Sequence, residues 1–258
     1  VELEHPFLNV EKLYMDAYQQ ITTPGGERYP QAILDLKEKV QKGLLLVNYV
    51  GHGGEVGWAH ERLLDNTTIL GWTNKDRLPL FMTATCEFSR WDDPGRTSAG
   101  ELVLLNPNGG GIALMSTTRL AYSSQNFALA QDFYDYAFSA TDEVGRDNRL
   151  GDIYRRTKVA ISTAQPTLRN HRNFTLLGDP SMRLAIPRQT LRITSVTDTM
   201  GMAVDTLKAL SVVRISGYVD DGSGQPMQGF NGVVIPIVYD KAQQQFTLAN
   251  DGGSPFPF

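Results

Sequence analysis

Continuous apolar runs alternate with amphipathic segments through the first 185 or so residues of the chain. Three of these runs are apolar almost without interruption, rather than at every second position: "LLLVNYVG", "LPLFMTATC" and "GGGIALMSTT". Strands of this kind are buried on both faces, as in a parallel sheet that carries helices on either side. The alternation therefore predicts an α/β fold with a mostly parallel sheet flanked by helices.

Helical periodicity is clearest in "RYPQAILDLKEKVQKG". Its apolar residues recur at helical spacing with charged residues between them, and Gly43 supplies a stop signal. We predict further helices in "AHERLLDNTTIL", in "SAGELVLL" with Ser98 near its cap, in "SQNFALAQDFYDYAFS" and in "LGDIYRRTKVAISTA". A first strand is predicted in "VEKLYMDAY", and a last strand or two in "FTLLGDPSMRLAIP".

The pattern changes after Pro187. Short strand-like segments follow, separated by turn-forming stretches and without a helical period: "LRITSV", "SVVRISGYV", "GVVIPIVYD" and "QQFTL". Such segments are typical of a small β-sandwich. We therefore expect two domains, 1–187 and 188–258, the second an immunoglobulin-like sandwich. Because the chain opens without a methionine and closes in a turn, we interpret it as a piece of a larger protein whose sandwich is incomplete.

The composition argues against several classes of protein. The net charge is −4, from 24 basic and 28 acidic residues, and no cluster of Lys and Arg forms a phosphate-binding face, which disfavours nucleic acid as a partner. No apolar run approaches the roughly 18 residues that a membrane-spanning helix needs. The single cysteine cannot form an internal disulfide, and it leaves the cellular compartment open.

The strand "LLLVNYVG" runs directly into His52, one of four histidines in the chain. In parallel α/β sheets, ligands and chemistry lie at the carboxyl ends of the strands, which is where His52 falls. The glycines on either side, Gly51 and Gly53, let the backbone approach a substrate closely. The alternative is a turn histidine whose imidazole bonds a nearby carbonyl, which is the more common role of a histidine taken at random.

The strand "LPLFMTATC" ends at Cys86, the only cysteine. Free cysteine is among the most buried residue types and is usually an inert small hydrophobe. A histidine at a neighbouring strand end changes this interpretation, because a nearby imidazolium favours the thiolate, which is the reactive species. Together, His52 and Cys86 indicate nucleophilic catalysis, provided that the two strand ends meet.

Other chemistries lack their sequence signatures. His52, Glu55, His60 and Glu61 do not form the H-E-x-x-H arrangement of a helical metal site, and glycines interrupt the helix that such a site needs, so we expect no metal. The stretch "NPNGGGIALMST" lacks the Gly-Lys-Ser/Thr end of a phosphate loop. No G-x-S-x-G occurs, which leaves a serine hydrolase unsupported.

Several blocks resemble the gingipain-type cysteine peptidases of the caspase-like clan, and they occur in family order: "NYVGHGGE", "TATCEFSRWDDPGRTSAGE", "NPNGGGIALMSTTR" and "NFTLLGDPSMRLA". The resemblance spans roughly residues 10–185. Within the family, the run "CEFSRWDDPGR" is most similar to the PorU-type sortases of the type IX secretion system of Bacteroidetes. The resemblance implies a caspase-like fold whose amino-terminal part is missing from this chain.

The resemblance also implies a role for each site residue. His52 assists thiolate formation and protonates the leaving amine, Cys86 attacks the scissile carbonyl to form an acyl-enzyme, and the N–H groups of Gly53 and Cys86 form the oxyanion hole. In gingipains a carboxylate further upstream orients the histidine. Asp16 is a candidate stand-in here, and an ion-pairing or capping role for it is equally open. Glu55 and Glu87 are further candidates for orienting or substrate contacts.

For a sortase of this kind, the resemblance implies removal of the C-terminal sorting domain from secreted cargo at the outer membrane, and transfer of the cargo to anionic lipopolysaccharide. It further implies a cell-surface location, an outer-membrane partner such as PorV, and no cofactor. Two alternatives stay open. One is a secreted gingipain-like protease that digests host or nutrient proteins, and the other is a non-catalytic surface or adhesion module on a peptidase-like scaffold.

Overall fold

The computed structural model describes residues 5, 8–139, 148–164, 167, 169–186, 189–234, 238–239, 243–250 and 252–258. The chain divides into two compact units. Unit 1 comprises Val1–Leu184 and Gln243–Phe258, and unit 2 comprises Ala185–Ala242. The predicted boundary after residue 187 lies close to this division, whereas the residues from Gln243 onward, which the prediction placed in the second domain, pack with unit 1.

The helices and strands of unit 1 follow one another in the order that the alternating pattern predicts over most of its length. In chain order they are a 3₁₀ helix (Met15–Ala17), β1 (Ile21–Thr23), β2 (Gly26–Arg28), α1 (Pro30–Lys42), β3 (Leu46–Val50), β4 (Gly53–Gly54), β5 (Gly57–Trp58), β6 (Leu64–Asp65), α2 (Asn66–Leu70), β7 (Leu80–Ala84), α3 (Ala99–Leu105), β8 (Ala113–Thr117), α4 (Ser123–Ala137), α5 (Leu150–Ala164), α6 (Asn170–Asn173) and β9 (Phe174–Leu177). Unit 2 contains β10 (Thr190–Thr197) and β11 (Arg214–Asp220).

The central sheet has the strand order β3-β7-β8-β9. β7 runs parallel to both β3 and β8, and β9 closes the sheet antiparallel to β8. The remaining short strands form a two-stranded sheet of β1 and β2 and a three-stranded meander of β4, β5 and β6. The predicted α/β fold with a mostly parallel sheet is confirmed.

Both faces of the central sheet are covered. All five residues of β7 and of β8 are buried, and alternate residues enter opposite cores. Phe81 and Leu114 enter a cluster with residues of α1 and α3, whereas Met82 and Met115 enter a cluster with residues of α4 and α5. Fully burying a side chain such as Phe81 contributes roughly 1.5–3 kcal/mol. The continuous apolar runs in the sequence are explained by this two-sided burial.

The helices α1, α3, α4 and α5 confirm four predictions, and two of them show why they begin or end where they do. α1 begins at Pro30 and ends before Gly43, which has the left-handed φ of 96° that favours glycine. α3 begins after Ser98, whose N–H and Oγ both bond Glu101 Oε2 at 2.7 Å. The Glu101 carboxylate thereby satisfies the Ser98 N–H, a donor at the start of the helix.

Three predicted elements are wrong. The segment "VEKLYMDAY" forms the short 3₁₀ helix and no strand. In "AHERLLDNTTIL" only α2 is helical, because Ala59 and Arg62 have φ of 59° and 55°, and Asp65 Oδ1 accepts the Thr68 N–H at 2.8 Å and starts the helix there. The segment "QQFTL" has only an isolated bridge between Phe246 and Pro257.

Unit 2 contains one two-stranded antiparallel sheet among its described residues, formed by β10 and β11 with an irregularity between Ile193 and Ser195. These strands confirm the predictions for "LRITSV" and "SVVRISGYV". The predicted strand in "GVVIPIVYD" falls partly outside the described residues. The immunoglobulin-like sandwich therefore stays a prediction. Among the described residues of both units, no helix combines the length and apolar character needed to cross a bilayer.

Candidate active site

His52 and Cys86 lie at the carboxyl ends of adjacent parallel strands. The ladder between β3 and β7 ends with Val50 opposite Ala84. His52 follows the first by two residues and Cys86 follows the second by two, so the chain brings both to the same edge of the sheet at the same level. The predicted placement is confirmed, and the catalytic role of the pair stays a prediction.

Both residues line one open cleft of about 690 Å³. The cleft is shaped by the β4–β6 meander on one side, by the segment after Cys86 on another, and by Leu120 from the loop between β8 and α4. Of the predicted site residues, His52, Gly53, Cys86 and Glu87 line it. Among the described residues, no group of three His, Cys, Asp or Glu side chains is arranged to hold a metal ion.

The backbone at His52 is held by two donors. The Tyr49 hydroxyl donates to the His52 carbonyl at 2.6 Å, and the Ala59 N–H donates to the same oxygen at 2.8 Å. The Tyr49 ring stacks on Trp58 with centroids 4.3 Å apart and planes 2° apart. Burial, and then the charge of Glu61, raise the pKa of Tyr49 well above its usual value, so the hydroxyl keeps the proton that it donates. The imidazole itself is exposed to the cleft.

His60 lies beside His52, with ring centroids 5.8 Å apart, and also lines the cleft. From the sequence, His60 is a candidate only for a metal site, and its position beside His52 is not predicted. The eight-residue separation did not reveal this contact, because it arises only when β4 and β5 fold back on each other.

Gly53 makes the close approach that brings the loop after His52 against the strand that carries Cys86. A methyl group at Gly53 would lie 2.5 Å from Thr85 Oγ1 and 3.0 Å from the Gly57 carbonyl oxygen. Real side-chain carbons do not approach other atoms this closely, so only glycine fits between the two segments. The neighbouring Gly54 has open space around it, since nothing lies within 4 Å of the position of an added methyl group.

Cys86 is partly buried, and its thiol contacts the loop between β8 and α4. The Ala121 N–H donates to Sγ at 3.4 Å, and the thiol donates to the Ala121 carbonyl at 3.6 Å. The loop is itself held by α6, since Asn173 Nδ2 donates to the Leu120 carbonyl at 2.8 Å and Asn170 Nδ2 donates to the Tyr122 carbonyl at 2.7 Å. This support is not predicted from the sequence, because nothing in the pattern places α6 beside β8.

The three candidate carboxylates have different surroundings. Glu87 lines the cleft, has a left-handed φ of 52°, and lies 3.5 Å from Arg90. Glu55 does not line the cleft, because its carboxylate is paired with Arg90 at 2.7 Å and Arg96 at 3.0 Å. The structure therefore brings one of the three, Glu87, into the cleft.

Asp16 is engaged elsewhere. Its carboxylate accepts the backbone N–H groups of Asn250 at 2.8 Å and Ala249 at 2.9 Å, and its own carbonyl accepts the Leu248 N–H. These hydrogen bonds, with that of Asn250 the strongest, lower the pKa of Asp16 below its usual value. Asp16 does not line the cleft, and both interpretations of this residue stay predictions.

A model of Peptidase family C25 matches residues 1–185. The chain belongs to Peptidase family C25. Its gingipain-type resemblance is thereby confirmed at the level of the family. No curated protein matches the chain.

Three solved structures share the fold of this C25 chain. The crystal structure of the Arg-specific cysteine proteinase gingipain R is 18% identical, with a TM-score of 0.53, and the match covers 63% of this chain and 38% of that one. The complex of the pro- and mature domains of RgpB from Porphyromonas gingivalis is 16% identical, with a TM-score of 0.53 and coverage of 63% and 40%. A structure described as a protease is 20% identical, with a TM-score of 0.51 and coverage of 62% and 40%.

At these identities the likeness shows the fold, and it agrees with the caspase-like architecture that the resemblance implied. The C25 chain spans about 40% of the length of the structures that it matches.

Proposed function

We propose that the chain carries the dyad of a cysteine endopeptidase, with Cys86 as nucleophile and His52 as general base and acid. The observation that carries the proposal is the ladder pair Val50–Ala84, which delivers both side chains to one cleft from adjacent strands. A thiol and an imidazole at one strand edge are the two groups that thiolate chemistry needs. Membership of Peptidase family C25 supports the same assignment.

The proposed reaction follows from these groups. The Cys86 thiol proton passes to His52, and the sulfur forms a bond to the scissile carbonyl carbon. The C–N bond then breaks as His52 returns the proton to the leaving amine, which leaves a thioester on Cys86. Water or another amine attacks the thioester, and the sulfur leaves as the thiol. On this proposal, the loop after His52 and the loop that holds Cys86 place the reacting groups.

The oxyanion hole is proposed to consist of the N–H groups of Gly53 and Cys86. The Ala59 N–H donates to the His52 carbonyl, so these two residues form a hydrogen-bonded pair between the antiparallel strands. Hydrogen-bonded and non-hydrogen-bonded pairs alternate along such a ladder, so the next pair, Gly53 and Trp58, is not hydrogen-bonded. The Gly53 N–H therefore points away from β5. Outside the regular elements of the described chain, no backbone hydrogen bond engages the Cys86 amide. On this proposal, the two N–H groups donate to the oxyanion that develops at the scissile carbonyl.

For the substrate, we propose secreted cargo that carries a C-terminal sorting domain. The support is the resemblance of the run "CEFSRWDDPGR" to the PorU-type sortases. On this proposal the protein acts at the extracellular face of the outer membrane with a partner such as PorV, and it passes the cargo acyl group to an amine on anionic lipopolysaccharide. Unit 2, as an immunoglobulin-like domain, would hold the peptidase beside its partners.

Cleavage assays test the proposal. The protein is incubated separately with a cargo protein bearing its sorting domain, with casein, and with Arg- or Lys-containing peptides. We expect release of the sorting domain from the cargo, loss of release in Cys86→Ala and His52→Ala, and unchanged circular dichroism spectra. With anionic lipopolysaccharide present, the cargo product should gain the mass of the acceptor.

Other outcomes overturn parts of the proposal. Cleavage of casein or the short peptides with the cargo left intact would favour a digestive protease over a sortase. No cleavage of any substrate, together with iodoacetamide alkylation of Cys86 as slow as that of a buried structural thiol, would favour a non-catalytic module.

A further inference from the structure

The carboxylate of Glu55 links the two loops that carry the proposed dyad. Glu55 lies three residues after His52, in the turn between β4 and β5, and its side chain is 12% exposed. Arg90 Nη1 bonds Glu55 Oε1 at 2.7 Å, and Arg96 Nη1 lies 3.0 Å from Oε2. Each carboxylate oxygen thus has its own guanidinium, and both guanidiniums come from the segment after Cys86.

Two further contacts join the same segments. The Glu55 carbonyl accepts the Ala99 N–H at 2.7 Å, so the backbone of Glu55 is held by the start of α3 as well. Arg90 Nη1 also lies 3.5 Å from Oε1 of Glu87, the residue next to Cys86 in the chain. A single guanidinium therefore lies between a carboxylate of the His52 loop and a carboxylate adjacent to the nucleophile.

The strand ladder does not set the distance between the dyad residues by itself. Pairing of β3 with β7 ends at Val50 and Ala84, and beyond that point the chain on the His52 side contains Gly51, Gly53 and Gly54. Glycines leave a backbone with more conformational freedom than any other residue does. Something outside the ladder must hold this loop against the segment after Cys86.

We propose that Glu55, through Arg90 and Arg96, is the positioning residue that sets the separation of His52 and Cys86. The inference rests on the proposed peptidase function. Isolated ion pairs on the surface contribute little to the stability of a fold. A mostly buried carboxylate that accepts charge-assisted hydrogen bonds from two guanidinium groups is held in place much more strongly. Misplacing a catalytic group by about 1 Å can cost on the order of 100-fold in rate, which is why such a bridge matters.

The same segment offers a matched control. Asp92 forms a two-fold contact with Arg119, with distances of 2.9 Å and 2.5 Å, and this pair ties the segment after Cys86 to the loop before α4 rather than to the His52 loop. Glu55→Gln and Asp92→Asn each remove one negative charge from an Arg-paired carboxylate and keep the shape of the side chain. Only the first of them breaks the link across the dyad.

The experiment measures kcat and KM for release of the cargo sorting domain, together with the thermal midpoint, in Glu55→Gln, Arg90→Gln, the double variant and Asp92→Asn. We expect kcat to fall about 10- to 100-fold in Glu55→Gln, with KM changed less than about 3-fold. In the double variant, kcat should fall no further than in the more impaired of the two single variants, because Glu55→Gln and Arg90→Gln break the same contact. Asp92→Asn should keep kcat within about 3-fold.

Arg96→Gln is a milder variant, which tests the proposal if Glu55→Gln fails to fold. It removes the Arg96 contact of Glu55 and leaves the Arg90 contact in place. Its expected loss in kcat is smaller, about 3- to 10-fold. Equal decreases in kcat in Glu55→Gln and Asp92→Asn would overturn the proposal. A decrease in kcat proportional to the decrease in the thermal midpoint across all variants would also overturn it, because it would show a general loss of stability.

The alkylation rate of Cys86 by iodoacetamide separates this inference from the proposed function. If the unmodified protein cleaves neither the cargo, nor casein, nor the short peptides, the peptidase proposal fails and alkylation alone tests the bridge. The bridge is then supported if His52→Ala and Glu55→Gln slow alkylation equally and Asp92→Asn does not. It is overturned if Glu55→Gln alkylates at the unmodified rate, whether or not His52→Ala is slow.

Discussion

Gly53 and Thr85 touch across the gap between the two proposed catalytic loops. Gly53 directly follows His52, and Thr85 directly precedes Cys86. A methyl group on Gly53 would lie 2.5 Å from the Thr85 hydroxyl oxygen. The residues next to the dyad therefore lie close together, and a side chain at position 53 would not fit between the two loops.

A first prediction follows from this contact. Gly53→Ala should lower kcat/KM by about 100-fold, because the loop must move away from Thr85 and carries the proposed oxyanion donor with it. The overpacking should also cost roughly 1–3 kcal/mol of unfolding free energy. Activity assays and urea unfolding measure the two effects.

Gly54→Ala is the matched control for this change. The added methyl group would meet no protein atom within 4 Å, so the unfolding free energy should stay close to that of the unmodified protein, and kcat/KM should fall much less than in Gly53→Ala. Equal losses in the two variants would show that the contact with Thr85 is unimportant.

The central sheet and the dyad could be predicted from the sequence because both depend on local patterns. Two apolar runs of similar length predicted β3 and β7. Because a histidine follows one run and a cysteine follows the other, both residues were predicted to lie at the carboxyl-terminal edge of the sheet. The ion pairs of Glu55 could not be predicted, because Arg90 and Arg96 reach it only after the loops fold back. Distant contacts carry no periodic signal, and turns are set by residues such as Ala59 and Arg62, whose left-handed φ no propensity indicates.

The same limit explains the errors at the beginning and end of the chain. The apolar residues of "VEKLYMDAY" resemble a strand, yet the segment is held by contacts with residues more than 200 positions away, such as those of Asp16 with Ala249 and Asn250. Tertiary contacts of this kind override local strand propensity.

A second prediction concerns Tyr49. Tyr49→Phe removes one of the two donors to the His52 carbonyl while keeping the ring that stacks on Trp58. We expect a loss of about 0.5–1.5 kcal/mol in unfolding free energy. The loss of activity should be smaller than in His52→Ala, because Ala59 still holds the carbonyl.

Tyr122→Phe provides the comparison for Tyr49→Phe. The Tyr122 side chain is 71% exposed, so removing its hydroxyl should leave stability unchanged. Chemical denaturation of the two variants under one condition measures the difference. A Tyr49→Phe variant as stable as Tyr122→Phe would contradict the proposed anchoring of the loop.

A third prediction separates the two interpretations of Asp16. Asp16→Ala removes the acceptor of the Ala249 and Asn250 N–H groups, so hydrogen exchange at these two amides should become faster. Cleavage activity should stay within about 2-fold, because Asp16 does not line the cleft. A loss of kcat comparable to that of His52→Ala, with slow exchange retained at 249 and 250, would instead support an orienting role.

The last prediction is a pH dependence centred on His171 in α6. The residue is 7% exposed, and among the described residues its Nδ1 has no hydrogen-bond partner. Burial, and then the positive charges of Arg172 and Lys158, lower the pKa of His171 below its usual value of 6.5. Between the lowered folded pKa and the unfolded pKa, the unfolded chain binds more protons than the folded one, so unfolding free energy rises with pH.

The stability contributed by a neutral His171 is therefore fully present above about pH 6.5 and is lost as pH falls through the folded pKa. His171→Gln cannot titrate, so its unfolding free energy should fall less between pH 7.5 and pH 5 than that of the unmodified protein. Urea unfolding at the two pH values measures the change in unfolding free energy for each protein. Equal changes in the two proteins would show that some other group titrates in this range. Because the neighbouring Asn170 and Asn173 hold the loop that contacts the Cys86 thiol, the same acid range should also loosen that loop and speed hydrogen exchange at Ala121.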